Sequence, residues 1–172
     1  MNRNGEASIL IVDDEPIQVQ SLQELMWLSG YQCETALSGE DAISKLEAHD
    51  FDAILLDLNI PDISGYEIID YVNKNTSGPR IIVVSGQADY KSVTMALRRG
   101  AHDFIKKPYM AEELLQTVKN VVQGRHLETA NNRILEKLEQ SEYLHRFIVD
   151  NSPDIVFMLD IDGNFSFLNE SV

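Results

Sequence analysis

Apolar residues fall along this chain in two alternating patterns. Short, nearly continuous runs recur at Ile9–Val12, Cys33–Leu37, Ala53–Leu58, Ile81–Val84 and Phe104–Ile105. Between them, apolar positions return every three or four residues. Leu22, Leu25, Met26 and Trp27 mark the first such segment, Ala42, Ile43 and Leu46 the second, and Ile68, Ile69 and Val72 the third. Val93, Ala96 and Leu97 mark the fourth, and Leu114, Leu115, Val118, Val121 and Val122 the fifth. The runs predict strands and the spaced segments predict helices. Ser38, ahead of Glu40 and Asp41, marks a helix start, and Gly30 and Gly100 fall where helices should stop. Five strand–helix repeats imply a doubly wound parallel sheet with helices on both faces. Runs such as "AILLDL" and "IIVV" do not alternate with polar residues, which suits strands buried on both sides.

After Gln123 the pattern changes. Residues 124–150 are rich in Glu, Asn, Arg and Lys, with Leu127, Ile134, Leu138 and Ile148 at intervals of seven, four and ten. This predicts an amphipathic helix with an imperfect coiled-coil seam, on which Asn131, Ser141 and His145 also fall. Gly124 is either a helix stop or a weak point costing about 1 kcal/mol inside a continuous helix. Two apolar runs around Asp162-Gly163 predict a hairpin over 155–169. The expected organisation is a domain at 1–123, a linker helix at 124–150 and the start of a further domain at 151–172.

Composition narrows the function. A chain of 172 residues suits one ordinary domain with an appendage, or two small ones, and 44% apolar content is enough for a core. The net charge of −14 argues against nucleic acid or an anionic membrane as a direct partner. The single cysteine, Cys33, excludes an intrachain disulfide and fits a reducing cytosol. The run Ile9–Val12 is too short for a signal-peptide core or a membrane span. A soluble cytoplasmic chain is expected.

In sheets of this kind ligands bind outside the carboxyl ends of the strands. Asp13 and Asp14 follow the first strand, Asp57 closes the third, Ser85 closes the fourth and Lys107 follows the fifth. Carboxylates converging at strand ends repel one another, and burial aggravates this. Hard oxygen donors without His or Cys suit Mg²⁺, which keeps several waters and is often bound together with phosphate. Asp14 and Asp57 are candidate direct ligands. Asp13 would act directly or through a water, and Asn59 would offer its backbone carbonyl. The plainer alternative is a solvated turn with incidental acids. Ser85 and Lys107 at neighbouring strand ends argue against it.

The segments "VDDE", "LLDLNIPDISG", "VVSGQ" and "FIKKPY" make residues 7–123 resemble the receiver domain of two-component response regulators. The resemblance implies a flavodoxin-like five-stranded parallel sheet of order 2-1-3-4-5. It implies that Asp57 accepts a phosphoryl group, that Asp13 and Asp14 organise Mg²⁺, and that Ser85 and Lys107 bind phosphoryl oxygens. It makes Phe104 the aromatic switch, lets Asn59 and Gln87 border the site, and implies a cis Lys107–Pro108 bond. Lys106 would be a surface charge. The implied partner is a histidine kinase or phosphotransfer protein. An unperturbed Asp is ionised near neutral pH and needs no general base as a nucleophile.

The segment "SEYLHRFIVDNSPDIVFMLDIDGNFSFLNES" resembles the start of a PAS sensor domain. That implies an output beyond Val172, such as a histidine kinase, a diguanylate cyclase or a cyclic-diguanylate phosphodiesterase, while residues 1–172 are not themselves a dedicated enzyme. The seam at 124–150 points to a homodimer through parallel pairing, the alternative being a monomer whose linker folds back on its own receiver. Two rival functions are a phosphohydrolase of the haloacid dehalogenase type and a non-phosphorylated, protein-binding pseudo-receiver. The first would require Asp at position 59, where Asn stands. The second is disfavoured because every site position holds a competent residue.

Other residues are expected to be structural. His49 and His102 read as surface or helix-end residues. His145 is not followed by the acid of a kinase phosphoacceptor box. Met26 and Trp27 should pack in the first helix, and Gly65 should serve the backbone of the loop before the third. The turn after the first strand lacks the Gly-rich sequence of a dinucleotide site.

Overall fold

The structure, a computed structural model, describes residues 7–74, 78–86, 88–152 and 156–168. The five apolar runs form β1 (Ser8–Val12), β2 (Gln32–Ala36), β3 (Ala53–Leu56), β4 (Arg80–Ser85) and β5 (Asp103–Lys106). They make one parallel sheet of order β2-β1-β3-β4-β5. The helices between and after them are α1 (Pro16–Leu28), α2 (Gly39–Ala48), α3 (Gly65–Asn73), α4 (Tyr90–Arg98) and α5 (Ala111–Asp150). The doubly wound, flavodoxin-like expectation is met.

Alternate side chains of each strand enter opposite core layers, as the pleat requires. Leu10, Val12, Ile54, Leu56, Ile81 and Val83 pack with Ala42 of α2, Ile68, Ile69 and Val72 of α3, and Ala96 of α4. Ile9, Ile11, Leu55, Ile82, Val84 and Ile105 pack with Leu22 and Met26 of α1 and with Leu114, Val118 and Val122 of α5. This two-sided burial explains why β1, β3 and β4 read as nearly unbroken apolar runs.

Register aligns the strand ends that carry chemistry. Val12 lies beside Leu56, Leu56 beside Val83, and Ser85 beside Lys106. Residues 13, 57, 85 and 107 therefore meet at one edge of the sheet.

Local signals explain half of the helix ends. The Ser38 hydroxyl accepts from the Asp41 N–H, Ser64 from Tyr66, and Asp89 from Ser92, each satisfying an N-terminal amide. Gly30 and Gly100 take φ of 86° and 100° just past α1 and α4, a conformation that glycine adopts without steric cost.

One open alternative is decided and one expectation is corrected. The helix does not stop at Gly124: α5 is continuous to Asp150. Among the described residues the glycines with positive φ are Gly30, Gly100 and Gly163, so Gly124 lacks the left-handed geometry of a helix stop. Trp27 does not pack. It is 71% exposed while Met26 is fully buried. The buried stripe of α1 is Val19, Leu22 and Met26, and one further residue turns the side chain about 100° off that stripe.

The chain divides into two compact units, Met1–His126 and Leu127–Val172. The second contains the remainder of α5 and an antiparallel hairpin of β6 (Phe157–Leu159) and β7 (Phe165–Leu168). The Asp160 carboxylate accepts from the N–H groups of Asp162 and Asn164 within the turn. Phe157 and Phe165 meet edge to face at 5.6 Å. Residues 155 and 169, the expected limits of the hairpin, lie outside the described residues. Among the described residues, no helix is long and apolar enough to cross a membrane.

Candidate functional site

The site stands where the first residues beyond β1, β3 and β5 meet the last residue of β4. Backbone hydrogen bonds extend the ladder past the strands: the Asp13 N–H donates to Ala36 O, the Asp57 N–H to Val12 O and the Lys107 N–H to Ser85 O. The side chains at these positions are thus held by the sheet rather than by loops. Asp13, Asp57 and Ser85 are buried.

The Lys107 ammonium lies 2.6 Å from Asp13 Oδ2 and 2.6 Å from Asp57 Oδ2. Asp57 Oδ1 accepts from the Ser85 hydroxyl at 3.0 Å and from the Asn59 N–H at 3.0 Å. Asp13 Oδ1 accepts from the Glu15 N–H at 2.9 Å. One cation between two carboxylates removes most of the repulsion that converging acids would otherwise suffer. Burial alone would lower the lysine's affinity for its proton. The hydrogen bonds and charges of Asp13 and Asp57 outweigh that and raise the Lys107 pKa above its ordinary value.

The sequence-predicted residues separate into those this cluster contains and those it does not. Asp13, Asp57, Ser85 and Lys107 form one hydrogen-bonded group. Asn59 joins it through its backbone N–H, while its side chain is exposed. Asp14 is exposed beside it. Phe104 is half-buried and packs against the core layer of α2, α3 and α4. Lys106 is exposed and the Lys107–Pro108 bond is cis. Gln87 lies outside the described residues.

Among the described residues, no group of three or more Asp, Glu, His or Cys side chains is arranged as a metal cage. A partly hydrated hard cation asks for less. Magnesium binds through one or two carboxylates and keeps its remaining waters. Asp13 and Asp57 supply two convergent carboxylates, so the donor chemistry fits Mg²⁺.

Supporting contacts were missing from the sequence reading. Asp62 accepts from the N–H groups of Gly39 and Glu40, each at 2.9 Å, pinning the loop after β3 to the start of α2. Those two hydrogen bonds hold the Asp62 carboxyl below its ordinary pKa. The signal was present in principle, since the first amides of α2 need acceptors, but nothing local identifies a residue from a distant loop as the donor's partner. Gly65 does serve the loop. A Cβ there would stand 2.7 Å from Asp57 O and 2.7 Å from Leu58 Cα, so only glycine lets α3 begin so close behind Asp57. His102 accepts the Ile81 N–H through Nδ1 at the open end of β4. At the opposite edge of the sheet from the cluster, Asp52 takes the Ser8 N–H, the His126 ring at 3.2 Å and the Arg125 guanidinium at 3.4 Å.

Residues 9–119 match the response regulator receiver domain. The chain belongs to that family. The cell cycle response regulator CtrA of Brucella ovis is 31% identical over 114 residues, covering 66% of this chain and 49% of that protein. The chain therefore spans about half the length of the curated relatives it matches. A CheY-like receiver domain protein from Methanospirillum hungatei superposes with a TM-score of 0.69 at 29% identity, covering 72% of this chain and 99% of the other. The receiver domain of a signal transduction histidine kinase from Syntrophus aciditrophicus gives 0.64 at 30% identity, covering 69% and 91%. In this response regulator receiver the matched residues run from β1 well into α5 and include every member of the buried cluster.

Proposed function

We propose that Asp57 is the phosphoacceptor of this receiver and that its phosphorylation controls an output joined through α5. The observation that carries the reading is the Lys107 ammonium shared at 2.6 Å by Asp13 and Asp57, with Ser85 on the other Asp57 oxygen. The partner is a histidine kinase or a phosphotransfer protein, and the donor is its phosphohistidine. An Asp57 carboxylate oxygen forms a bond to phosphorus as the phosphorus–nitrogen bond of the donor breaks. The electron pair leaves on the imidazole nitrogen, which takes a proton from solvent.

Two anions must meet in this reaction, and charge neutralisation is most of what phosphoryl transfer asks of a protein. Lys107 already stands against Asp57 and donates to a phosphoryl oxygen once one is present. Ser85 exchanges its bond to Asp57 Oδ1 for a bond to the phosphoryl group, drawing the loop after β4 inward. Phe104, half-buried on the neighbouring strand, turns into the space so released. Asp13, Asp14, Asp57 and the Asn59 carbonyl would hold Mg²⁺, which when bound supplies positive charge to the phosphoryl oxygens.

The PAS resemblance after residue 140 supports a sensor-linked output, and the single Cys33 with the acidic surface supports a cytoplasmic setting without nucleic acid. Of the two rival readings, neither gains support. Asn59 stands where a haloacid-dehalogenase-type phosphohydrolase requires Asp, and its side chain is exposed. A pseudo-receiver would not need the buried ion cluster.

Incubation with acetyl phosphate and Mg²⁺, followed by mass spectrometry, tests the reading. One phosphoryl group should appear on Asp57, and Asp57→Asn should abolish it. Modification of Asp13 or Asp14 instead would overturn the assignment, and rapid continuous turnover of the donor would favour the phosphohydrolase.

A further inference from the structure

The phosphoacceptor chemistry makes no use of the surface of α5 beyond His126. Leu127, Ile134, Leu138 and Ile148 are exposed there by 68, 63, 54 and 57%. Their spacing defines one heptad frame. Leu127, Ile134 and Ile148 share position d with Ser141, and Leu138 shares position a with Asn131 and His145. Four large apolar side chains on one helical seam, in water, call for a covering surface.

The flanking residues select the occupant. In a parallel, in-register pair each g residue faces the e residue five positions later on the other helix. Ala130 would face Leu135 of a second copy, Lys137 would face Glu142, and Leu144 would face Val149. These pairs are apolar, oppositely charged and apolar, with no like charges opposed. An antiparallel pair centred on the same seam would set Lys137 against Lys137 and Leu135 against Glu142. Asn131 at position a adds a second argument, because a buried Asn at that position favours a fixed register in a two-stranded coil.

We propose that the exposed seam of residues 127–148 is a docking surface for a second copy of this chain, parallel and in register, with Lys137–Glu142 ion pairs between copies. The proposal rests on the surface of α5 and not on the phosphoacceptor reading.

Sedimentation equilibrium of the full chain tests it. A monomer–dimer equilibrium is expected. Ile134→Asp should raise its dissociation constant at least about a hundredfold, since the change removes a buried apolar group from both copies. Lys137→Glu should weaken association, and adding Glu142→Lys should restore it. In a Cys33→Ala background, Leu127→Cys and Ile148→Cys should each form disulfide-linked dimers, while Glu136→Cys, on the outer face, should not. Far-UV circular dichroism of each variant confirms that helix content is retained. The proposal is overturned by a chain that stays monomeric at every concentration, which would mean the seam is covered within one chain or by another protein. It is equally overturned by a dimer indifferent to Ile134→Asp, or by cross-links that form at Leu138→Cys but at neither end.

Discussion

Val118 and Leu138 lie on the same unbroken helix, yet Val118 is fully buried and Leu138 is 54% exposed. Both belong to apolar stripes of helical period. Val118 shares one core layer with Ile11, Leu55 and Val84 from three parallel strands. Within the unit Leu127–Val172, the described strands form only one hairpin, and Phe157, Met158, Leu159 and Phe165 are themselves exposed. An apolar stripe becomes a core only when elements distant in sequence supply the opposing wall. The first unit has a five-stranded sheet to do so.

The largest expected effect probes that difference directly. Leu55→Ala should cost about 2–5 kcal/mol of stability by emptying space in a close-packed layer. Tyr143→Ala, on the exposed helix and off the coiled-coil seam, should stay within about 0.5 kcal/mol. Urea denaturation of both variants measures the contrast, and equal losses would break it.

Next in size is Gly65→Ala. The added Cβ meets backbone at 2.7 Å, and overpacking of this kind costs about 1–3 kcal/mol. Because the clash falls on Asp57 and Leu58, the variant should also take up phosphoryl groups more slowly, which mass spectrometry over time would show.

A smaller effect should appear at high pH. The Lys107 pKa is raised in the folded protein, so the protonated form binds more tightly to the folded state than to the unfolded one. The associated stability is complete below the unfolded value near 10.5 and is lost as pH rises through the higher folded value. Burial also raises Tyr31 and Tyr109, which adds a decline of the same sign. Lys107→Arg keeps its charge in this range and should flatten part of the decline in urea midpoint. An unchanged alkaline slope would remove Lys107 as its source.

The smallest effect lies on the acid side. The folded Asp62 carboxyl has a lowered pKa. Its contribution is present above the unfolded value of 3.8 and is lost as pH falls through the lower folded value. Asp62→Ala should therefore lose a little stability at neutral pH and show a shallower decline below pH 3.8, both read from thermal midpoints.

How much of the molecule was legible beforehand depended on the range of the interaction involved. β1, β3 and β4 were visible because burial on both faces leaves an uninterrupted apolar run, whereas the less buried β2 and β5 carry only short apolar stretches between polar residues. Strand limits shifted by a residue or two, as at β3, which ends at Leu56 rather than Leu58, because a buried apolar run continues past the strand into the loop, where Leu58 is still in the core. Asp13, Asp57, Ser85 and Lys107 were legible because strand ends in a doubly wound sheet converge. Trp27 was misread because helical spacing identifies a stripe only to within one residue. Gly124 was left open because glycine permits a stop without requiring one. Asp62 and Asp52 were not legible as anchors, since their partners lie far away in sequence at the start of α2 and within α5.

The sequence by itself determined the succession of strands and helices, the two-sided burial of the central strands, and which residue types stand at the carboxyl ends of the strands. Those properties follow from period and composition, which are local. Only the tertiary structure decided that Lys107 bridges Asp13 and Asp57 while Asp14 faces solvent, and that Gly65 must leave room behind Asp57. Adjacent acids are chemically equivalent in a sequence. They become different when strand register turns one carboxylate inward towards a cation and the next outward into water.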